Sequence, residues 1–421
     1  FDNKLMIWQQ ILRENIFCVA KTPMAKAIAT RTLTGYRDFD TNIEFVDNIV
    51  EDAKQDVQAE ANKIKEVFGN LKFDVVIGNP PYQDESHGDQ ANYSAPIYNE
   101  FMDLSYKLSS LVTLITPGRF LFSAGSTPKD WTNKILNDKH FKVISYEQVS
   151  SKVFPRTDIK GGIAISLRDA NRDFQSVAEK YAPAGIYIAY DQLFNIMKKV
   201  ASKDFKSFSD IIYGRNIYRF TDTMHQENPD AKSKLSKGHA YDLSSNIFKR
   251  LPNLFLDNKP ENEKNEYLGI VGRDKNQRVV RYIKRKYIKP VENLDKYKVF
   301  VPKANGTGAL GEVLSTPLIG EPLIGSTETF ISIGAFSTKS EAENTMRYVK
   351  TKFARAMLGI LKITQDNTAK TWRLVPMQDF TSNSDIDWSQ SIANIDQQLY
   401  RKYSLSNDEI NFIETKVQAM E

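Results

Sequence analysis

The chain has 421 residues, 41% of them hydrophobic, which is enough for two or three domains with sizeable cores. The single cysteine, Cys18, excludes an internal disulfide and a multi-cysteine zinc site, and the four histidines (His87, His140, His225 and His239) lack the spacing of metal ligands. The net charge of +5 is only mildly basic, and no apolar run approaches the roughly 18 residues of a membrane span. We therefore expect a cytoplasmic protein without a bound metal, a signal peptide or a membrane anchor.

The first 170 residues alternate between helix and strand patterns. Helices are predicted over residues 5–15, 23–33, 52–68, 97–108 and 131–137, and strands over residues 15–20, 43–46, 73–77, 111–116, 142–149 and 162–167. This alternation predicts an α/β fold with a parallel-type sheet covered by helices on both faces.

The remaining sequence has a different character. A polar, lysine-rich helical connection is predicted over residues 170–210, followed by an irregular region with short strands until a helix at 340–361. Two helices are predicted in the tail, over residues 389–420. We divide the chain into three parts, residues 1–200, 201–385 and 386–421, with the first boundary near residue 200.

The strongest chemical signal is the run Asn79-Pro80-Pro81-Tyr82, which directly follows an apolar strand ending in Gly78. In α/β proteins ligands bind at the carboxyl ends of strands. The two prolines fix the backbone and make a rigid turn, which presents an amide, exposed carbonyls and an aromatic ring at one point.

This set of groups suits methylation of an exocyclic amine. The lone pair of such an amine is delocalised into its ring, so the amine is a poor nucleophile. The Asn79 side-chain oxygen and the Pro80 carbonyl can accept hydrogen bonds from its two N–H groups and so stabilise the transition state. Tyr82 can stack on the base and hold it in line with a methyl donor.

The run resembles the catalytic motif of N6-adenine-specific DNA methyltransferases, which use S-adenosylmethionine. Val153-Phe154-Pro155, followed by Gly161-Gly162, resembles the later motif in which a phenylalanine packs against the flipped-out adenine. The resemblance implies a Rossmann-like methyltransferase domain, with Asn79, Pro80, Pro81, Tyr82 and Phe154 as catalytic residues.

The resemblance also implies a cofactor site upstream of the turn. Asp47 occupies the position that contacts the cofactor's adenine amine, Thr22 and Pro23 can line the adenine pocket, and Asn79 adjoins the methyl donor. The position expected to hold an acid for the ribose is Ala20, followed by Lys21.

The glycine-rich loop expected to hold the methionine part of the cofactor would precede residue 1. Because the chain begins with Phe1, we interpret it as an N-terminally truncated piece of a longer protein with an incomplete cofactor site. Asn305–Gly311 is a second glycine-rich segment, but its place in the strand order favours a loop of the second domain over a permuted cofactor loop.

Basic residues concentrate between Arg273 and Lys289, with tyrosines between them. This stripe predicts contact with double-stranded DNA through Arg273, Lys275, Arg278, Arg281, Lys284, Arg285 and Lys286. Thr327–Gly334, Trp372–Pro376 and the tail resemble the target-recognition domains of type IIG restriction-modification enzymes, which implies an α+β domain that reads DNA. In that family a nuclease domain often precedes the methylase, and any nuclease would lie outside these residues.

Three hypotheses follow. The first is sequence-specific adenine-N6 methylation of DNA within a restriction-modification system. The second is a methyltransferase acting on RNA or protein glutamine, since such enzymes also carry the Asn-Pro-Pro-Tyr run. The third is a DNA-binding specificity fragment without catalysis by itself.

Overall fold

The computed structural model describes residues 2–84, 95–201 and 204–420. His87 lies outside this part. The chain divides into two compact units, Phe1–Tyr187 and Ile188–Glu421. The sequence analysis placed the boundary near residue 200, and the tail that it separated falls in the second unit. No helix in the described ranges is long and apolar enough to cross a membrane.

The first unit alternates helices and strands, as the sequence predicted. Its helices are α1 (Asp2–Glu14), α2 (Pro23–Thr34), α3 (Ile49–Gln55), α4 (Val57–Val67), α5 (Tyr98–Leu108), α6 (Lys129–Leu136) and α7 (Val177–Lys180). Its strands are β1 (Phe17–Ala20), β2 (Asn42–Phe45), β3 (Val75–Gly78), β4 (Leu111–Pro117), β5 (Phe141–Glu147) and β6 (Ile163–Asp169).

The expectation of one parallel sheet is wrong. Strands β1 and β2 form a parallel pair, while the other four form a mixed sheet in the order β3-β4-β6-β5. Strand β3 is parallel to β4, but β6 runs antiparallel to both β4 and β5. Parallel neighbours need a long crossover, usually a helix, whereas β5 and β6 are joined by a loop containing only a single 3-10 turn. The fold class is therefore mixed α/β.

The expectation of helices on both faces fails at β3. In the described ranges this strand pairs only with β4, so its other edge is unpaired. Val75 and Ile77 point to the same face and are 48% and 77% exposed. An apolar strand thus ends at the candidate site with one edge and part of one face uncovered.

One predicted helix, over residues 52–68, is divided at Asp56. This residue has an extended backbone, with φ of −151°, and its carboxylate accepts hydrogen bonds from the backbone N–H groups of Gln58 and Ala59. Asp56 therefore ends α3 and caps α4, because a side chain that satisfies the first N–H groups of a helix favours a start at that position.

The second unit contains short strands and helices, together with several single 3-10 turns. Its strands are β7 (Ile212–Tyr213), β8 (Tyr267–Asp274), β9 (Gln277–Lys284), β10 (Tyr297–Pro302), β11 (Leu318–Gly320), β12 (Ile324–Ser326) and β13 (Phe330–Phe336). Its helices are α8 (Asp191–Val200), α9 (Asp222–Glu227), α10 (Ile247–Arg250), α11 (Lys339–Lys350), α12 (Lys352–Leu358), α13 (Ile392–Lys402) and α14 (Asn407–Lys416). The helix predicted over 340–361 is divided at Thr351, and the two tail helices are confirmed.

Two sheets, in the orders β11-β10-β13-β7 and β12-β8-β9, share an apolar core in this unit. A buried lysine, Lys298 on β10, also lies in the interior. Its Nζ lies 2.8–3.1 Å from the backbone carbonyls of Asn293, Leu294, Lys296 and Glu321, which share its three N–H donors. One side chain thereby joins two loops, because these acceptors lie on the segments that precede β10 and β12.

Candidate functional site

Asn79 begins the turn that directly follows β3. Its side chain is exposed, and its amide forms no hydrogen bond with any residue in the described part of the chain. The far end of the turn is held by backbone bonds: the Ile97 N–H donates to Tyr82 O at 3.2 Å, and the Asp84 N–H donates to Ala95 O at 2.9 Å. The turn is thus fixed while its amide stays available for a ligand.

Tyr82 is half-buried at the end of this turn. Its hydroxyl is buried and has no hydrogen-bond partner among the described residues. Burial raises the pKa of Tyr82 to about 12, because the phenolate would lose its hydration. Tyr82 is therefore an uncharged ring throughout the physiological pH range. Pro80 is half-buried and Pro81 is exposed.

The predicted cofactor residues Thr22, Pro23 and Asp47 meet at one edge of the β1–β2 pair. The two strands are parallel, with Ala20 opposite Phe45, so the residues that follow them lie together. Asp47 is exposed, and one of its carboxylate oxygens accepts from the Asn48 N–H at 3.0 Å. Its second oxygen has no hydrogen-bond partner in the described ranges.

Thr22 has a structural task that the sequence did not reveal. Its hydroxyl accepts from the Ala25 N–H at 3.0 Å and caps α2, and Pro23 is the first residue of that helix. The cap uses one of the two acceptor sites of the hydroxyl and holds it against the first turn of α2, which leaves its O–H and one lone pair for a ligand. At this edge, Asp47 is the predicted side chain best placed to bind one.

Phe154 lies in the loop between β5 and β6. Because β3, β4 and β5 run in the same direction, this loop and Asn79 lie at the same edge of the mixed sheet. The Phe154 N–H donates to Ser150 O at 2.8 Å, and the Thr157 hydroxyl donates to Phe154 O at 2.7 Å. Its ring is half-buried and has no ring contact with Tyr82 within the described residues.

The same loop ends in Gly161 and Gly162, with φ of +84° and +68°. A Cβ at Gly162 would lie 2.5 Å from Glu147 O and 2.8 Å from the Gln148 Cα, both backbone atoms that cannot move aside. Two glycines are therefore needed where this loop returns to the sheet.

We expect Gly162→Ala to lower the free energy of unfolding of the first unit by about 3 kcal/mol, through left-handed strain and overpacking. Gly185→Ala is the matched control, because Gly185 has a φ of +69° but nothing within 4 Å of a new Cβ. The control should cost only about 1 kcal/mol. Urea unfolding followed by Trp131 fluorescence measures the free energy of unfolding of both variants. Equal decreases for Gly162→Ala and Gly185→Ala would contradict the proposed clash at Gly162.

Three of the seven predicted DNA-contacting cations are paired with carboxylates. Arg281 forms ion pairs with Asp274 and Asp257, while Arg285 pairs with Asp295 and Lys286 with Glu227. Asp274 lies within the stripe, but Asp295 and Glu227 are 10 and 59 residues away from their partners, so their effect could not be seen in the stripe itself.

The other four, Arg273, Lys275, Arg278 and Lys284, form no ion pair in the described ranges. Side chains alternate between the two faces of β9, so Arg278 and Lys284 lie on one face and Arg281 lies on the other. The single stripe of the sequence is thus divided between two faces.

The segment Asn305–Gly311 binds its own carboxylate. The N–H groups of Thr307 and Gly308 donate to the Glu312 carboxylate at 2.9–3.1 Å. The loop therefore already holds an anionic group, which agrees with its interpretation as a loop of the second unit.

Arg119 is a polar residue that the sequence analysis missed, at the same edge of the mixed sheet as Asn79. It follows the carboxyl end of β4, and its Nε is buried without a hydrogen-bond partner in the described ranges. A lone arginine after a strand carries no pattern that singles it out.

Among the described residues, no group of three or more His, Cys, Asp or Glu side chains could hold a metal ion.

Comparisons with known proteins bear on this edge. Residues 14–154 match the family model of the Eco57I restriction-modification methylase. This segment is therefore similar to the Eco57I restriction-modification methylases. It includes every predicted catalytic and cofactor residue, from Thr22 to Phe154, and it confirms the resemblance to adenine-specific methyltransferases inferred from the Asn79–Tyr82 turn.

An adenine-specific methylase of Mycoplasma pneumoniae, itself uncharacterised, is 35% identical to this chain over 112 residues. The matched region is 26% of this chain and 26% of that protein, so the chain spans about a quarter of the relative's length.

Two solved structures align with 98% of the chain. The type IIG restriction endonuclease BpuSI is 11% identical, with a TM-score of 0.32 and 64% of its chain covered. The type IIL restriction-modification enzyme MmeI, in complex with DNA, is 9% identical, with a TM-score of 0.40 and 74% of its chain covered.

Proposed function

We propose that this protein methylates the N6 amine of adenine in double-stranded DNA, with S-adenosylmethionine as the methyl donor, within a restriction-modification system. The observation that carries the proposal is the Asn79 amide. It is exposed, without a partner in the described ranges and held on a fixed turn at the carboxyl end of β3, within the methylase segment.

Asn79 and Pro80 act on the attacking amine. The Asn79 side-chain oxygen and the Pro80 carbonyl accept hydrogen bonds from its two N–H groups. These bonds favour a pyramidal nitrogen, whose lone pair is no longer conjugated with the ring. These bonds strengthen as positive charge develops on nitrogen, so they lower the barrier more than they stabilise the bound substrate. Because the turn is fixed beforehand, little reorganisation is needed.

Tyr82 and Phe154 hold the base. An adenine inside a duplex is out of reach, so the target nucleotide must be extruded before methylation. Tyr82 is an uncharged, half-buried ring beside Asn79, and Phe154 lies in a loop at the same edge of the sheet. We propose that the two rings stack on opposite faces of the extruded adenine.

The cofactor supplies an electrophilic methyl group. The residues at the β1–β2 edge fit its adenosine end, because the second carboxylate oxygen of Asp47 can accept from an adenine amine. Pro23 and Thr22 then serve as pocket walls. At the ribose position the fit is poorer, because Ala20 is buried and offers no acceptor.

We propose that a further parallel strand, carrying the glycine-rich loop, pairs with the uncovered edge of β3 and completes a Rossmann-like sheet. The support is the unpaired edge itself, next to Val75 and Ile77, which are exposed. An unpaired apolar edge is a template for strand addition. Such a strand would place its loop beside Asn79, where the methionine part of the cofactor belongs.

The second unit is proposed to be the target-recognition domain, with its unpaired cations on the DNA. A nuclease activity is proposed as a further part of the restriction-modification system. We propose that the activity is cytoplasmic, in keeping with a DNA substrate.

Comparing methyl acceptors tests the proposal. Tritium from labelled S-adenosylmethionine should enter adenine-containing duplex DNA and be recovered as N6-methyladenine after digestion. Ribosomal RNA and a glutamine-bearing protein serve as competing acceptors. Label on either of these, with none on DNA, would replace DNA methylation with the second hypothesis.

Calorimetric titration with S-adenosylmethionine tests whether this chain holds the donor by itself. Saturable binding that Asp47→Ala weakens supports catalysis by the chain. DNA binding without any cofactor binding supports the specificity-fragment hypothesis, which Ala20 and the uncovered β3 edge favour.

A further inference from the structure

The second unit contains a cavity of about 830 Å³ near one end of the β8–β9 hairpin. Three of its lining residues are cationic, namely Arg273, Arg278 and Lys303, and none of the described lining residues is acidic. Ser245 and Thr316 add hydroxyl groups to its wall. Lys303, which directly follows β10, lies outside the stripe that the sequence singled out. The cavity therefore carries positive charge without an internal counter-charge.

The two arginines are held opposite each other. Arg273 on β8 is the direct cross-strand partner of Arg278 on β9. Burial, and then the positive charge of Arg273, lower the pKa of Arg278. Like charges directly opposite in an antiparallel pair are destabilising, so this arrangement lowers stability unless an anion lies between them.

Arg278 is also oriented before any ligand arrives. Its guanidinium lies 5.5 Å from the centre of the Phe330 ring, and its Nη2 donates to Thr316 O at 2.9 Å. These two contacts fix the plane of the guanidinium. Arg273 is held more loosely, through one bond of 3.2 Å to Asn276 O. Lys303 forms no side-chain hydrogen bond in the described ranges.

Charge pairing separates this cavity from the rest of the basic segment. Arg281, Arg285 and Lys286 each have a carboxylate partner. Arg273, Arg278 and Lys303 have none in the described ranges. Three cations without acid partners thus converge on one concave surface, whereas Lys275 and Lys284 do not line it.

We propose that this cavity binds a strand of duplex DNA, with Arg273 and Lys303 on phosphates and Arg278 on the acceptor edge of a guanine. A phosphate can be bound by any cation that reaches it as a point charge, whereas a bidentate base contact needs a planar donor in a fixed orientation. The inference rests on the proposed function, since it takes DNA as the substrate, and it names the residue that determines part of the target sequence.

The test separates phosphate contacts from base contacts. Binding of a pool of duplexes with randomised centres is measured by fluorescence anisotropy over a range of salt concentrations, without a methyl donor. The bound duplexes are then recovered and sequenced, which gives the selected sequence. Arg273→Gln and Lys303→Gln should each weaken binding to all sequences and reduce the slope of log K against log salt by about 1.

Arg278→Lys keeps the charge and removes the planar pair of donors. It should retain the salt slope but lose preference for guanine at one position of the selected sequence, by about 5- to 150-fold. Lys339→Gln is the control, because Lys339 is an exposed lysine of α11 that is paired with Glu343 and does not line the cavity. Circular dichroism and thermal melting verify that each variant is folded.

Several results would overturn the inference. Unchanged salt slopes for Arg273→Gln and Lys303→Gln would exclude the phosphate contacts, and an unchanged selected sequence for Arg278→Lys would exclude the base contact. Tighter binding of a free nucleotide such as ATP than of DNA, lost in Arg278→Lys, would assign the cavity to that ligand instead. If DNA is bound through the cavity but methyl is transferred elsewhere, the cavity assignment stands and the proposed function fails.

Discussion

Asn79→Ala should lower the rate of adenine methylation by at least about 100-fold while leaving the affinity for DNA unchanged. The variant removes the oxygen that accepts a hydrogen bond from the substrate amine in the transition state. The Asn79 side chain is exposed and makes no hydrogen bond in the described ranges, so its loss leaves the fold undisturbed. Single-turnover methylation of a duplex containing the selected target measures the rate, and anisotropy measures the affinity.

The matched control is Asn62→Ala, which removes an exposed amide from α4 in the same unit. It should methylate at the unmodified rate. Asn79→Asp keeps an acceptor oxygen and should retain more activity than Asn79→Ala. Equal rates for Asn79→Ala and the unmodified protein would remove Asn79 from the mechanism. A joint loss of rate and DNA affinity would make Asn79 a binding residue.

Lys298→Met should lower the free energy of unfolding of the second unit by about 4 kcal/mol. Four backbone carbonyls accept hydrogen bonds from the Lys298 ammonium group in the interior. Methionine fills a similar volume but offers no hydrogen, so the buried carbonyls would lose this donor. Urea unfolding followed by the fluorescence of Trp372 and Trp388 gives the change.

Lys296→Met provides the control for this substitution. Lys296 is exposed, and its ammonium group makes a single 3.3 Å bond to the Ser337 hydroxyl. Its replacement should change the free energy of unfolding by less than about 0.5 kcal/mol. If both variants unfold at the same urea concentration, the loops around Lys298 do not depend on its ammonium group.

The turn at Asn79 was predictable because its signal is local. An apolar strand, a glycine and two prolines determine the backbone within ten residues, and the structure places the amide at a strand end as expected. The division of helices at Asp56 and Thr351 was not predictable from apolar periodicity. In both cases one side chain caps a new helix, so a single residue determines whether the helix continues or a second one begins.

Strand direction and charge pairing depend on distant parts of the chain. Whether β6 returns antiparallel to β4 depends on the path of the loop before it, which periodicity does not encode. Likewise, Lys286 looks like any other cation of the basic segment until Glu227 is seen beside it. Lys303 was missed for the same reason, since only the folded chain brings it to Arg273 and Arg278.

The uncovered edge of β3 also affects how the protein behaves at high concentration. Among the described residues the second edge of β3 has no partner strand. Its N–H and C=O groups, beside the exposed side chains of Val75 and Ile77, can therefore pair with the same strand of a second molecule, which is how edge strands start aggregation. A strand that pairs with this edge would therefore protect the protein from aggregation as well as carry the cofactor loop. Cofactor affinity and resistance to aggregation should then rise together when that edge is covered.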